Sequence, residues 1–77
     1  MENSLVLKKL GAEIKAQRKS LGLNQTDLSQ MADVGINLIG QIESGKPSVH
    51  FSKLLDVLKS LGMEFRLDYG KNGISFK

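Results

Sequence analysis

A chain of 77 residues, 40% of them apolar, supports one small domain whose core is marginal enough that pairing with a second chain is expected. The absence of cysteine excludes a disulfide framework and a thiolate metal site. No apolar run nears the roughly 18 residues of a membrane span and no signal-peptide pattern opens the chain, so a cytoplasmic protein is expected. Eleven Lys and Arg against eight Asp and Glu leave a net charge of +3, a modest excess that suits phosphate contact without demanding it.

Taken in chain order, Ser4 to Ser20 carries Leu7, Leu10 and Ile14 at helical spacing, with Leu21 a further candidate for the same face, and Gly22 stops the helix. Lys8, Lys9, Lys15, Arg18 and Lys19 crowd this helix, either as a solvated face or as one that meets an anionic partner. Asn24 is a good N-cap for a second helix over about residues 25–32, with Asp27 placing negative charge in its first turn. Leu28, Met31 and Ala32, then Val34, then Ile39 and Ile42 recur at three- and four-residue steps, which predicts an inner face on two short helices. Only Asp33-Val34-Gly35 separates them. Gly35 caps the third helix, about residues 36–44, and Gly45 ends it. Pro47-Ser48 turns the chain into a fourth helix, about residues 49–61, whose Phe51, Leu54, Leu55, Leu58 and Leu61 form one apolar stripe expected in the core.

After Gly62 the period changes to two: Met63, Phe65, Leu67 and Tyr69 alternate with Glu64, Arg66 and Asp68, which predicts a strand. Asn72-Gly73 is a favoured hairpin turn and would set Lys71 opposite Ile74 and Tyr69 opposite Phe76. A lone hairpin is marginal in water, and a strand with one apolar face invites edge pairing. The strand pairs either within its own chain or with a second subunit, with Met63, Phe65, Leu67, Tyr69 and Phe76 as candidate dimerisation residues.

The segment Leu23 to Lys46, LNQTDLSQMADVGINLIGQIESGK, therefore reads as two helices and a tight turn, a unit that can lay its second helix in the major groove of DNA. Gln25, Leu28, Ala32, Val34, Ile39, Ile42, Glu43 and Gly45-Lys46 resemble the helix-turn-helix of the XRE/Cro family of repressors over Leu10 to Met63. PSVHFSKLLDVLKSLGMEFRL, Pro47 to Leu67, resembles the HipB subgroup, antitoxins and repressors that partner HipA-type kinases. The resemblance implies a mainly α, lambda-repressor-like four-helix domain over residues 4–62 and a short β extension over residues 63–77 that pairs between subunits. It also implies an autoregulatory, HipB-like homodimer on a palindromic double-stranded operator, with a HipA-like kinase toxin as a further partner.

A third helix docked on Ile39 and Ile42 points Ile36, Asn37, Gly40 and Gln41 roughly the other way, toward the bases. Asn37 and Gln41 are the natural readers, since either amide can hydrogen-bond adenine N6 and N7, and Ile36 or Leu38 can pack on a thymine methyl. Ordinary exposed polar residues are the alternative, although an exposed Ile beside them is harder to explain without a partner surface. Gln25 matches a family position that approaches a phosphate, where the helix N-terminus favours an anion; Asn24, Lys46 and Lys53 are further phosphate candidates. In XRE-type domains, residues matching Arg18 and Glu43 form a shielded ion pair. Asp33 departs from the family's usual Gly at a position expected to need positive φ, which Asp tolerates better than most residues. Gly40 inside the reading helix departs as well, at a cost of roughly 1 kcal/mol relative to Ala.

Catalysis has little support. His50 is the only histidine, and no activated nucleophile, metal-ligand cluster or glycine-rich phosphate loop accompanies it. No enzyme, metal or cofactor is expected. The rival is a helical module that neutralises a protein toxin, built on Phe65, Tyr69, Phe76 and the fourth helix, with DNA binding vestigial.

Overall fold

The first three helices fold around a short inner row of α1, Leu10, Gly11, Ile14 and Arg18, residues spaced so that they share one helix face and are all buried. The computed structural model describes residues 3–68 and 73–75. Within them the order is α1 (Asn3–Ser20), α2 (Gln25–Ala32), α3 (Ile36–Ser44), α4 (Phe51–Ser60), β1 (Arg66–Asp68) and β2 (Gly73–Ser75). The chain is thus mainly α. None of its described helices is long and apolar enough to cross a membrane.

Every helix ends the same way. After each last turn one residue enters the left-handed region, Gly22 (φ 74°), Asp33 (φ 55°), Gly45 (φ 83°) or Gly62 (φ 70°). Two reversed hydrogen bonds then close on the helix: Gly22 and Leu23 N–H donate to the Lys19 and Arg18 carbonyls, and Val34, Lys46 and Met63 donate to Ser29, Gln41 and Leu58. This satisfies carbonyls that would otherwise be orphaned. Asp33 is the one non-glycine among the four, and its short polar side chain tolerates the conformation. Asn24 starts α2 with a full capping box: Asp27 N–H donates to Asn24 Oδ1 at 2.7 Å, and Asn24 N–H donates to Asp27 Oδ2 at 2.9 Å.

The core joins Leu10 and Ile14 of α1, Leu28 and Ala32 of α2, Ile39 and Ile42 of α3, and Leu54, Val57 and Leu58 of α4 with Leu61. Helix α3 packs on both α1 and α2, and α2 packs on α4. Gln17 of α1 donates from Nε2 to the Leu61 carbonyl at 3.1 Å, tying α1 to the end of α4. Three expected inner positions are corrected. Phe51 and Leu55 of α4 stand 53% and 39% exposed, and Met31 of α2 is 53% exposed. The α4 stripe is broader than the surface available to it, so Val57 takes the inner place, while Ser29 turns inward on α2 with its hydroxyl satisfied by the Thr26 carbonyl. Leu21 is exposed as well.

At the C-terminal end the strand is shorter than the alternation predicts. Met63 is used by the α4 cap, and both Met63 and Phe65 pack partly buried against the core, so β1 begins only at Arg66. It pairs antiparallel with β2 of its own chain: Arg66 opposite Ser75, Leu67 opposite Ile74, Asp68 opposite Gly73. The register expected from an Asn72-Gly73 turn is therefore corrected by four positions. Gly73 lies in the strand, residues 69–72 intervene, and Leu67 stands opposite Ile74. Tyr69 and Phe76 lie outside the described residues.

Candidate nucleic-acid interface

The apolar positions of α3 decide which way it faces. Ile39 and Ile42 are buried at 0% and 4% exposure, and Leu38 is half-buried against the core. The opposite side, Ile36, Asn37, Gly40, Gln41 and Ser44, is turned outward in two rows spaced by four residues. Asn37 is exposed and Gln41 half-buried, one turn apart in the same row, and Ile36 beside Asn37 is 46% exposed. At Gly40 an added Cβ would meet nothing within 4 Å. Leu38, the other candidate for thymine contact, is instead drawn toward the core.

The other end of α3 is anchored by an internal polar network. Arg18 Nε donates to Glu43 Oε2 at 2.7 Å, Arg18 Nη2 to Glu43 Oε1 at 3.1 Å, and Arg18 Nη1 to the Leu23 carbonyl at 2.8 Å. Both side chains are more than nine-tenths buried. The hydrogen bonds to Glu43 hold the Arg18 guanidinium above its ordinary pKa, with burial opposing and the Glu43 charge adding to the rise. One fork thus joins α1, the α1–α2 turn and the end of α3, which fixes the angle at which the outer face of α3 is presented.

Gln25 belongs to this network, where sequence reasoning assigned it to a phosphate. Its Nε2 donates to Glu43 Oε1 at 3.2 Å, which leaves its backbone N–H, in the first turn of α2, as the group suited to an anion. Asn24 likewise spends its side-chain oxygen on the capping box, and Asp27 already supplies the carboxylate that the α2 N-terminus favours. Lys46, just past the Gly45 cap of α3, and Lys53, in the first turn of α4, are both exposed. Of the basic residues on α1, Arg18 is withdrawn into the core while Lys8, Lys9, Lys15 and Lys19 remain exposed.

Sequence reasoning missed Gly11. This buried residue lies under the last turn of α3, where a Cβ would come within 2.6 Å of the Glu43 carbonyl oxygen and closer still to that of Ile42. Only a glycine lets α1 come so near. Its signal was a lone Gly inside a helical pattern.

Two helices joined by Asp33-Val34-Gly35, with the second anchored inside and polar outside, match a known arrangement. The helix-turn-helix family profile covers residues 14–67. The chain belongs to this helix-turn-helix family. It is also similar to an uncharacterised HTH-type transcriptional regulator, y4mF, of Sinorhizobium fredii (strain NBRC 101917 / NGR234), with 40% identity over 53 residues, 69% of this chain and 70% of the relative. The two helices of the motif are α2 and α3.

Proposed function

We propose that this helix-turn-helix protein is a sequence-specific transcriptional repressor that binds a palindromic operator as a homodimer, regulates its own gene in the cytoplasm, and acts as a HipB-like antitoxin to a HipA-like kinase. The observation that carries the DNA reading is the outer face of α3, with Asn37 and Gln41 amides beside an exposed Ile36 on a helix whose inner face is fully packed. In this reading Ile36, Asn37, Gly40 and Gln41 meet base edges. Lys46, Lys53, Asn24 and the Gln25 backbone meet phosphates, and the Arg18–Glu43 pair holds the reading helix in place.

Residues 4–62 form the DNA-reading unit, and residues 63–77 supply dimer contacts from Met63, Phe65, Leu67, Tyr69 and Phe76. Support for a second chain comes from the outer edge of the two-stranded sheet, since a strand edge is a template for pairing. The exposed Phe51 and Leu55, with Phe51 edge-on to Phe65 at 5.2 Å, favour a second reading in which this end of the molecule binds a toxin and DNA binding is vestigial. Footprinting on DNA upstream of the gene separates the two. The repressor reading expects paired protections about one turn, roughly 34 Å, apart; no protection at saturating protein leaves only the toxin-binding reading.

A further inference from the structure

Four of the described glycines explain themselves. Gly22, Gly45 and Gly62 need positive φ, and Gly11 has no room for a side chain. Gly35 caps α3 with nothing near it, a position where glycine is nearly as good as a polar cap. Gly40 has no such reason. It lies inside α3, has ordinary helical φ, and leaves open space where a Cβ would stand, although glycine weakens a helix relative to alanine.

The surroundings give the space a shape. Ile36, one turn earlier in the same row, is a large apolar residue left 46% exposed. Ser44, one turn later, could lean back over Gly40, but its hydroxyl donates to the Gln41 carbonyl at 3.0 Å. The outcome is a notch in the row of side chains, open space over the Gly40 backbone between Ile36 and Ser44, beside the row that carries Asn37 and Gln41.

Resting on the DNA-binding reading above, we infer that this notch receives the C5-methyl group of a thymine, so that α3 selects an A·T pair by fitting that methyl against Gly40 and Ile36. The methyl is the apolar mark that distinguishes thymine in the major groove. Glycine is the residue used where a backbone must approach a ligand closely.

The test uses the full chain and a duplex recovered by the wild type from a randomised DNA pool. Replacing each thymine singly with deoxyuridine removes only the methyl. At one position per half-site the wild type is expected to lose about fourfold in affinity, the ratio for burying one methyl-sized group at about 0.8 kcal/mol. Gly40→Ala is expected to raise the melting temperature by roughly 4–8 °C yet bind the thymine duplex roughly tenfold or more weakly. Uracil at that same position should then restore part of the binding, because the alanine methyl and the thymine methyl compete for one place. The inference is overturned if no thymine responds, if Gly40→Ala binds the thymine duplex like the wild type, if uracil restores nothing, or if Gly40→Ala melts lower. A wild type that enriches no sequence overturns the DNA reading itself, and the inference with it.

Discussion

Gly11 of α1 and Glu43 of α3 lie so close that a Cβ on Gly11 would sit 2.6 Å from the Glu43 carbonyl oxygen and 2.8 Å from its carbon. The obstacle is backbone, which no rotamer change can move. The helix whose outer face we assign to DNA is therefore seated directly on α1, and the absence of a side chain sets the separation.

Gly11→Ala should destabilise the protein even though alanine favours a helix by about 1 kcal/mol. Overpacking against a fixed backbone typically costs about 1–3 kcal/mol, and contact this close belongs at or beyond the upper end. The two glycines of the α1–α3 region thus respond oppositely: alanine at position 11 lowers the melting temperature and alanine at position 40 raises it. Thermal melts of both variants check this, and a rise at position 11 would mean that the helices separate freely.

Glu43→Ala removes the carboxylate that receives Arg18 and Gln25, leaving a buried guanidinium unpaired. The expected loss is about 3–5 kcal/mol, whereas replacing both partners with apolar residues, Arg18→Met with Glu43→Leu, should recover most of it. Denaturant unfolding of the single and double variants measures the difference. A double variant no better than Glu43→Ala would mean that the fork is needed for geometry as well as charge balance.

Asp33 holds φ 55° and ψ 49° after α2, the only non-glycine among the described residues with positive φ. Asp33→Gly should be neutral or stabilising by up to about 1 kcal/mol, and Asp33→Val should cost about 1–2 kcal/mol, because a β-branched residue fits this region worst. Equal stabilities for the two variants would show that the turn rearranges.

Asn37→Ala and Gln41→Ala should each weaken binding to the selected duplex by about 1–3 kcal/mol and binding to random DNA much less. Equal loss on both would assign these amides to the DNA backbone. Lys46→Ala and Lys53→Ala should act the other way, weakening both DNAs alike and lowering the logarithmic salt slope by about 0.9 for each lost phosphate contact. A slope unchanged by either substitution removes that lysine from the interface.

Much of the scaffold is legible in the chain because its cues are local. The steps from Leu28 to Ala32 and from Ile39 to Ile42, the Asn24 cap and the glycines after three helices give the bounds of α2 and α3, since capping and periodicity act within a turn or two of chain. The outward position of Ile36, Asn37 and Gln41 follows from the same periodicity once Ile39 and Ile42 are taken as the inner side. What tertiary structure alone decided depends on other elements. Phe51 and Leu55 continue an apolar stripe that packing does not cover, and Met31 yields its inner place to Ser29. Gln25 turns from the helix start toward a carboxylate 18 residues away, and the hairpin register differs by four positions, with Leu67 opposite Ile74. Gly11 and Gly40 look alike in the sequence, each a single glycine inside a helix. One is pressed against a neighbouring backbone and the other faces open space, a difference fixed by how the helices pack and therefore invisible to any local rule.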